Sequence, residues 1–291
     1  MLAWVARVAL CCACSGALAQ GVTVLAAGDI AQCDRYGALH TRAAGTAELV
    51  GAYLARDPAA RVLLLGDVVY PDGSARDFAQ CYHPTWGRFK ERTLPSPGNH
   101  EYRTPGARGY FDYFGAAAGP GYYSLTLGGW RLISLDSNIQ GAAMTAQLEW
   151  LRAEPAAHPA RCTLAYWHHP LYSSGGHGSM TRMRAAWDLL HDAGVELVLS
   201  GHDHDYERFA PQDGQGRRHA AGMRQFVVGT GGAFLTPFLR LRAHSEMRDN
   251  SRFGVLKLDL EAGRYRWEFL ESHDDGLPNG QAPDRGEGTC H

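Results

Sequence analysis

The sequence predicts an α/β fold, a four-layer α-β-β-α sandwich of two mixed sheets with flanking helices. Three observations predict it. Apolar strand-like runs first alternate with helical runs and then give way to hairpins, which mixes parallel with antiparallel pairing. Polar blocks stand at the ends of strand-like runs, where open α/β sheets carry their ligands. No internal repeat or linker interrupts the chain, so one domain is expected over residues 20–271, between a signal peptide at 1–19 and a coil tail at 272–291.

Val22 to Ala27 is a short apolar run ending in Gly28-Asp29, a buried strand. Thr41 to Arg56 has helical apolar spacing and stops before Pro58. Val62 to Leu65 repeats the strand and the Gly-Asp ending, and Tyr70 to Pro84 reads as a long loop. Trp86 to Arg92 reads as a short helix, after which Pro95-Ser96-Pro97-Gly98 delivers Asn99 and His100 on a turn. Tyr122–Leu127 and Trp130–Leu135 flank Gly128-Gly129, a hairpin signal. Met144–Glu154 and Thr181–Ala193 are helical. Cys162–Trp167, Val195–Leu199 and Gln225–Val228 are strands ending at His168, at Ser200-Gly201-His202 and at Gly229-Thr230-Gly231-Gly232. Phe253–Leu260 and Tyr265–Leu270 form a last hairpin through Ala262-Gly263. The final twenty residues, rich in Gly, Pro and Asp, read as coil.

Composition narrows the class. Lys+Arg number 28 and Asp+Glu 30, for a net charge of −2, so no global field draws the chain to nucleic acid or to a membrane. Arg7 is the only charge before Asp29, Val8 to Leu18 is apolar, and Ala17-Leu18-Ala19 is a small-x-small cleavage site. That run is too short for a transmembrane helix. A periplasmic or secreted protein is therefore expected. Cys33, Cys81, Cys162 and Cys290 remain after cleavage, and four cysteines allow three pairings. Cys33 and Cys81 each follow an aspartate loop, which favours Cys33–Cys81 and Cys162–Cys290.

The five polar blocks are Gly28-Asp29, Gly66-Asp67-Val68-Val69-Tyr70, Gly98-Asn99-His100-Glu101, His168-His169-Pro170 and Gly201-His202-Asp203-His204. Each alone is a weak signal. An isolated strand-end Asp is more often a helix cap, and an Asn after a turn is more often a turn residue. Together they offer carboxylate, amide, phenol and imidazole donors, the set that holds hard and borderline cations. A two-metal hydrolytic site keeps its ions roughly 3.5–4 Å apart. One carboxylate can bridge them.

The blocks resemble the calcineurin-like metallophosphoesterase superfamily and, more narrowly, the purple acid phosphatases. Runs such as "TPGARGYFDYFG" and "LSGHDHDYERFAPQ" look like those of small bacterial relatives, in the short single-domain form. Most superfamily members carry Asp-x-His in the first block, with that His a ligand. Here Ala31 occupies the place, while Tyr70 stands three after Asp67, as in purple acid phosphatases. A phenol has a pKa near ~10 and ligates only once deprotonated, which a highly charged ion can drive.

The resemblance implies two metal ions. The first, Fe(III), takes Asp29, Asp67, Tyr70 and His204. The second, Zn, Mn or Fe(II), takes Asp67, Asn99, His168 and His202, with Asp67 bridging. The pattern His-x-Pro selects His168 over His169. Asp203 is expected to point away and hold a ligand imidazole, and Tyr206-Glu207-Arg208 to brace the last metal loop. The glycines of 229–232 are expected to permit close backbone approach. His100 and His177 are implied as catalytic, non-ligating residues that contact phosphate or the leaving group.

The implied activity is hydrolysis of a small-molecule phosphate monoester by in-line attack of a metal-bound hydroxide. A phosphodiesterase or nucleotidase on the same scaffold, a metal-binding protein with a relict site, and redox chemistry of a di-iron centre are the alternatives. Comparing an aryl monoester with a bis-aryl diester separates the first two, and a metal assay tests the third.

Overall fold

The computed structural model describes residues 21–33, 37–272 and 283–291. The expected signal peptide and its cleavage site lie outside the described residues. No helix among the described residues is long and apolar enough to cross a membrane.

The first part contains β1 (Val22–Ala27), β2 (Ala31–Gln32), α1 (Arg42–Arg56), β3 (Arg61–Leu65), β4 (Val69–Tyr70), α2 (Ala75–Asp77), β5 (Thr93–Ser96) and α3 (Arg108–Phe114). The middle contains β6 (Tyr123–Leu127), β7 (Trp130–Ser134), α4 (Gly141–Ala157), β8 (Cys162–Tyr166), α5 (Arg184–Asp192) and β9 (Leu197–Ser200). Then come β10 (Tyr206–Phe209), β11 (Arg224–Val228), β12 (Ser245–Asp249), β13 (Gly254–Glu261), β14 (Arg264–Glu271) and β15 (Arg285–Thr289).

Two mixed sheets result. The six-stranded sheet runs β15-β14-β13-β1-β3-β5, and the seven-stranded sheet runs β12-β10-β11-β9-β8-β7-β6. β1, β3 and β5 are parallel, as are β7, β8, β9 and β11, while the hairpin strands pair antiparallel. The parallel centres are apolar because both of their faces are covered. Successive side chains point to opposite faces, and the burial follows that period. Leu132, Leu164, Leu197, Leu199 and Phe226 share one core with Val24, Leu63 and Leu256 of the first sheet. Their neighbours Ile133, Ala165 and Val198 pack instead on Leu151 of α4 and on Ala186, Trp187 and Leu190 of α5. Ala43, Ala47, Val50 and Leu54 give α1 an apolar stripe on the first sheet. The layers are therefore helix, sheet, sheet, helix, as expected.

Both disulfides form as favoured, Cys33–Cys81 and Cys162–Cys290, with Cα separations of 5.4 and 5.6 Å. Two expectations are corrected. The tail is not wholly coil, because Arg285–Thr289 forms β15 and pairs antiparallel with β14. The stretch Tyr70 to Pro84 is not a plain loop either. It contains α2 and a wide turn at Phe78–Tyr82. The cause is a capping box: Ser74 Oγ accepts from Asp77 N at 3.2 Å, and Asp77 Oδ2 accepts from Ser74 N at 3.3 Å. Phe78 and Tyr82 then pack against Phe114 of α3.

Candidate metal centre

β1, β3 and β9 end in tight turns. Asp29 (φ 58°), Asp67 (φ 47°) and His202 (φ 73°) all occupy the left-handed region, which side-chain-bearing residues seldom adopt. Such strain collects at sites where tertiary contacts over-determine the backbone. The turns also need close approach. A Cβ on Gly98 would stand 2.1 Å from Asp67 N, and one on Gly201 would stand 2.6 Å from Asp29 Oδ2. Gly229 behaves as expected of its turn, since a Cβ there would meet Asp203 O at 2.1 Å.

The structure brings all seven expected ligand residues together. Tyr70 Oη lies 2.9 Å from Asp29 Oδ1, 3.2 Å from His204 Nε2 and 3.3 Å from Asp67 Oδ2. His204 Nε2 is 3.2 Å from Asp29 Oδ1. On the other side His168 Nε2 is 3.3 Å from Asp67 Oδ2, 3.0 Å from Asn99 Oδ1 and 3.2 Å from His202 Nδ1. Asp67 Oδ2 is common to both groups.

The donors are aimed from behind. Asp29 Oδ2 accepts from His202 N at 2.8 Å, and Asp67 Oδ1 accepts from His100 N at 2.8 Å, so each carboxylate keeps one oxygen for the centre. His168 Nδ1 donates to Leu65 O at 2.8 Å and His204 Nδ1 to Phe234 O at 2.7 Å, which points both Nε2 atoms inward.

Electrostatics sharpen the fit. Burial, then the charges of Asp29 and Asp67, push the Tyr70 phenol well above its ordinary range. A strong local positive charge is what would turn it into a phenolate ligand. Burial opposes charge on His168, but the Asp67 charge and hydrogen bond, the Asp29 charge and the Leu65 carbonyl together raise that imidazole to about 9. Burial also opposes charge on Asp67, yet His168 and His100 hold it below the carboxylate range. Burial and the charge of His168 push His202 down to about 3, which leaves it neutral. This crowd of acceptors and lone pairs suits cations, and both Asp29/Asp67/His168 and His168/His169/His202 offer donor atoms within 4.8 Å of one another.

The two histidines expected not to ligate flank the cluster. His100 rests on the Tyr70 ring, with centroids 4.2 Å apart, and its Nδ1 donates to Pro71 O at 2.6 Å. His177 stacks on His202 at 4.6 Å and lies 5.8 Å from His204. His169 stays a neighbour: its ring meets His202 at 4.4 Å, and its Nδ1 pairs with Ser137 Oγ at 2.8 Å.

Two expectations fail here. Asp203 points away as expected but does not hold an imidazole of the expected ligand set. Its carboxylate turns to the Ser173–Ser179 segment and to His177. Tyr206 and Arg208 brace Asp284 rather than the metal loop, while Glu207 accepts from Ser174 N and Oγ at 2.7 and 2.6 Å.

Sequence reasoning also missed Glu101. This buried carboxylate accepts from Gly98 N (2.7 Å), Asp67 N (2.9 Å), Val68 N (3.0 Å) and Val69 N (3.3 Å), so one side chain ties the Asp67 turn to the Asn99 turn. Burial and then the Asp67 charge raise it to about 8. Its position beside Asn99-His100 was the available signal.

A model of the calcineurin-like phosphoesterase family matches residues 22–206. Purple acid phosphatase 21 of Arabidopsis thaliana is 27% identical over 245 residues, covering 73% of this chain and 54% of its own length. Purple acid phosphatase 15 of the same plant is 29% identical over 187 residues, 50% of this chain and 35% of its own length. The chain thus spans about half the length, or less, of these curated relatives. Among solved structures, a purple acid phosphatase from yellow lupin (Lupinus luteus) seeds superposes with a TM-score of 0.69 at 20% identity, over 92% of this chain and 54% of that one. A dimetal phosphatase from Danio rerio gives 0.58 at 14% identity, over 94% and 100%. At those identities the likeness is one of fold.

Proposed function

The chain belongs to the calcineurin-like phosphoesterase family, and on that premise we propose that it is an exported binuclear-metal phosphatase of the purple acid phosphatase type, hydrolysing small-molecule phosphate monoesters. The observation that carries this reading is the place of Tyr70 Oη, within 3.3 Å of Asp29, Asp67 and His204, in a chain with Ala31 where a ligand histidine is otherwise expected. Asp29, Asp67, Tyr70 and His204 would hold Fe(III). Asp67, Asn99, His168 and His202 would hold Zn, Mn or Fe(II).

When bound, two such cations supply Lewis acidity, which activates water for in-line attack and offsets the charge of the phosphoryl oxygens. The residues do the rest. Tyr70 would hold the ferric ion as a phenolate. Asp29 and Asp67 each anchor one oxygen to a backbone N–H, so their other oxygens are held in place. As the ester P–O bond breaks, a protonated imidazole, His177 or His100, passes its proton to the leaving oxygen. The two disulfides support export, because such bonds persist in oxidising compartments.

Elemental analysis of purified protein, with kcat/KM for nitrophenyl phosphate and bis-nitrophenyl phosphate, tests the proposal. Roughly two equivalents of metal and faster turnover of the monoester are expected. Faster turnover of the diester would overturn the monoester assignment. Protein without metal and without turnover on either ester would overturn the enzymatic reading.

A further inference from the structure

We propose that Asp203 is the positioning residue for His177, a buried carboxylate around which the segment carrying that imidazole is wrapped. The turnover readout rests on the phosphatase reading above. The structural readout does not.

Asp203 is fully buried, between His202 and His204 in sequence, and its side chain leaves the metal face altogether. Among the described residues its side-chain hydrogen bonds go to Ser173, His177 and Gly178. Oδ1 accepts from His177 N at 2.6 Å and lies 3.3 Å from His177 Nδ1. Oδ2 accepts from Gly178 N at 3.0 Å and from Ser173 Oγ at 2.5 Å. Ser173 Oγ in turn accepts from Gly175 N at 3.0 Å. A Cβ on Gly175 would come 2.5 Å from Asp203 Cγ, so the segment closes on the carboxylate at a distance that glycine permits.

His177 needs such an anchor. It stands on irregular backbone and its side chain is 44% exposed. Among the described residues its only side-chain partner besides stacked rings is Asp203. A loop imidazole without that partner samples many directions, and misplacing a proton donor by an ångström can remove most of its value. The contact through Nδ1 also leaves Nε2 as the nitrogen free for a ligand. Because Asp203 lies between two expected ligands, His177 is placed in register with the centre itself.

The test is a double-mutant cycle in the metal-loaded enzyme with Asp203→Asn, His177→Ala and both, assayed on an alkyl phosphate and on nitrophenyl phosphate. Asp203→Asn is expected to keep its metal and to lower alkyl phosphate turnover by roughly 10–10²-fold, a part of the roughly 10²–10⁴ that a positioned general acid contributes. The loss should be smaller for nitrophenyl phosphate and should vanish in the His177→Ala background. In metal-free protein the amides of His177 and Gly178 should exchange hydrogen faster in Asp203→Asn than in wild type.

Equal losses in both backgrounds, or unchanged amide protection, would overturn the proposal. If Asp203→Asn loses metal, Ser173→Ala, which keeps the carboxylate, decides in the same cycle: coupling to His177 supports the proposal and additivity overturns it. A wild type inactive on every ester would sink the phosphatase reading alone, since amide exchange still reads the anchor.

Discussion

The carboxyl ends of β1, β3, β8 and β9 bury charge differently from the amino ends of β8 and β9. At the carboxyl ends Asp29 and Asp67 each have one oxygen bound by a backbone N–H and the other within 3.3 Å of an imidazole or phenol. At the amino ends Glu196 is also buried; its Oε2 accepts from Thr163 N at 2.6 Å, while Oε1 makes no hydrogen bond among the described residues. Burial pushes Glu196 up to about 7. The difference teaches what buried charge is for. At one end it is aimed, supported and available to a cation. At the other, burial favours the protonated form.

The largest expected effect is at the shared oxygen. Asp67→Asn removes the one carboxylate that serves both groups, so both metals should be lost and turnover should fall to background. Metal analysis and a phosphatase assay check this, and a variant that keeps both metals and full activity would break the contrast outright.

Next comes His100→Ala, which leaves the donor set intact. Metal content should stay, and turnover should drop by roughly 10²–10⁴, the contribution of a good general acid. The loss should be greater for alkyl than for nitrophenyl phosphate, whose leaving group needs little protonation. Equal losses would make His100 a phosphate-binding residue only.

Tyr70→Phe probes the aim of one half of the centre. Protein loaded with ferric iron should show a visible phenolate-to-iron band that the variant lacks, with the fold retained by circular dichroism. An identical spectrum in the variant would remove Tyr70 from the ligand set.

The smallest effect belongs to the other end. Glu196 has a folded pKa of about 7 against an ordinary 4.5, so the folded chain holds a proton that the unfolded chain releases. Its stabilising share is fully present below the ordinary value and is lost as pH rises through about 7. Glu196→Gln should flatten that fall and raise stability above neutral pH by on the order of 1–3 kcal/mol, without changing turnover. Denaturant midpoints on either side of the folded pKa read this directly. An unaltered pH slope would mean that the carboxylate is ionised throughout.

The failures of sequence reasoning are as instructive as its successes. The strand β15 was invisible because Arg285-Gly286-Glu287-Gly288-Thr289 lacks the alternating apolar pattern of a half-buried strand. Its glycines are what the place requires. A Cβ on Gly286 would stand 2.3 Å from Trp267, and one on Gly288 would stand 2.4 Å from Tyr265, so the backbone itself covers the rings of β14. Helix α2 was overlooked although Ser74 and Asp77 spell a cap, because Pro71-Asp72-Gly73 just before it reads as a turn and the helix is only three residues long. Glu101 stood in the third polar block, but its role was missed because three of the four backbone N–H groups it accepts lie on the distant Asp67 turn.

Local chemistry determined the rest. Donor types, their order and their strand-end positions were legible in the sequence itself, because apolar periodicity and Gly-Asp or Gly-His turns depend on neighbours along the chain. The Cys33–Cys81 bond was favoured from those two cysteines' places after the Gly-Asp turns, and Cys162–Cys290 was the pair that remained. Only the tertiary structure decided which atoms face one another. Asp203 meets His177 across a sequence separation of 26, and Glu101 meets Asp67 across 34. The direction of a buried polar side chain depends on which distant backbone donors packing brings within reach, and that is a property of the assembled sheets.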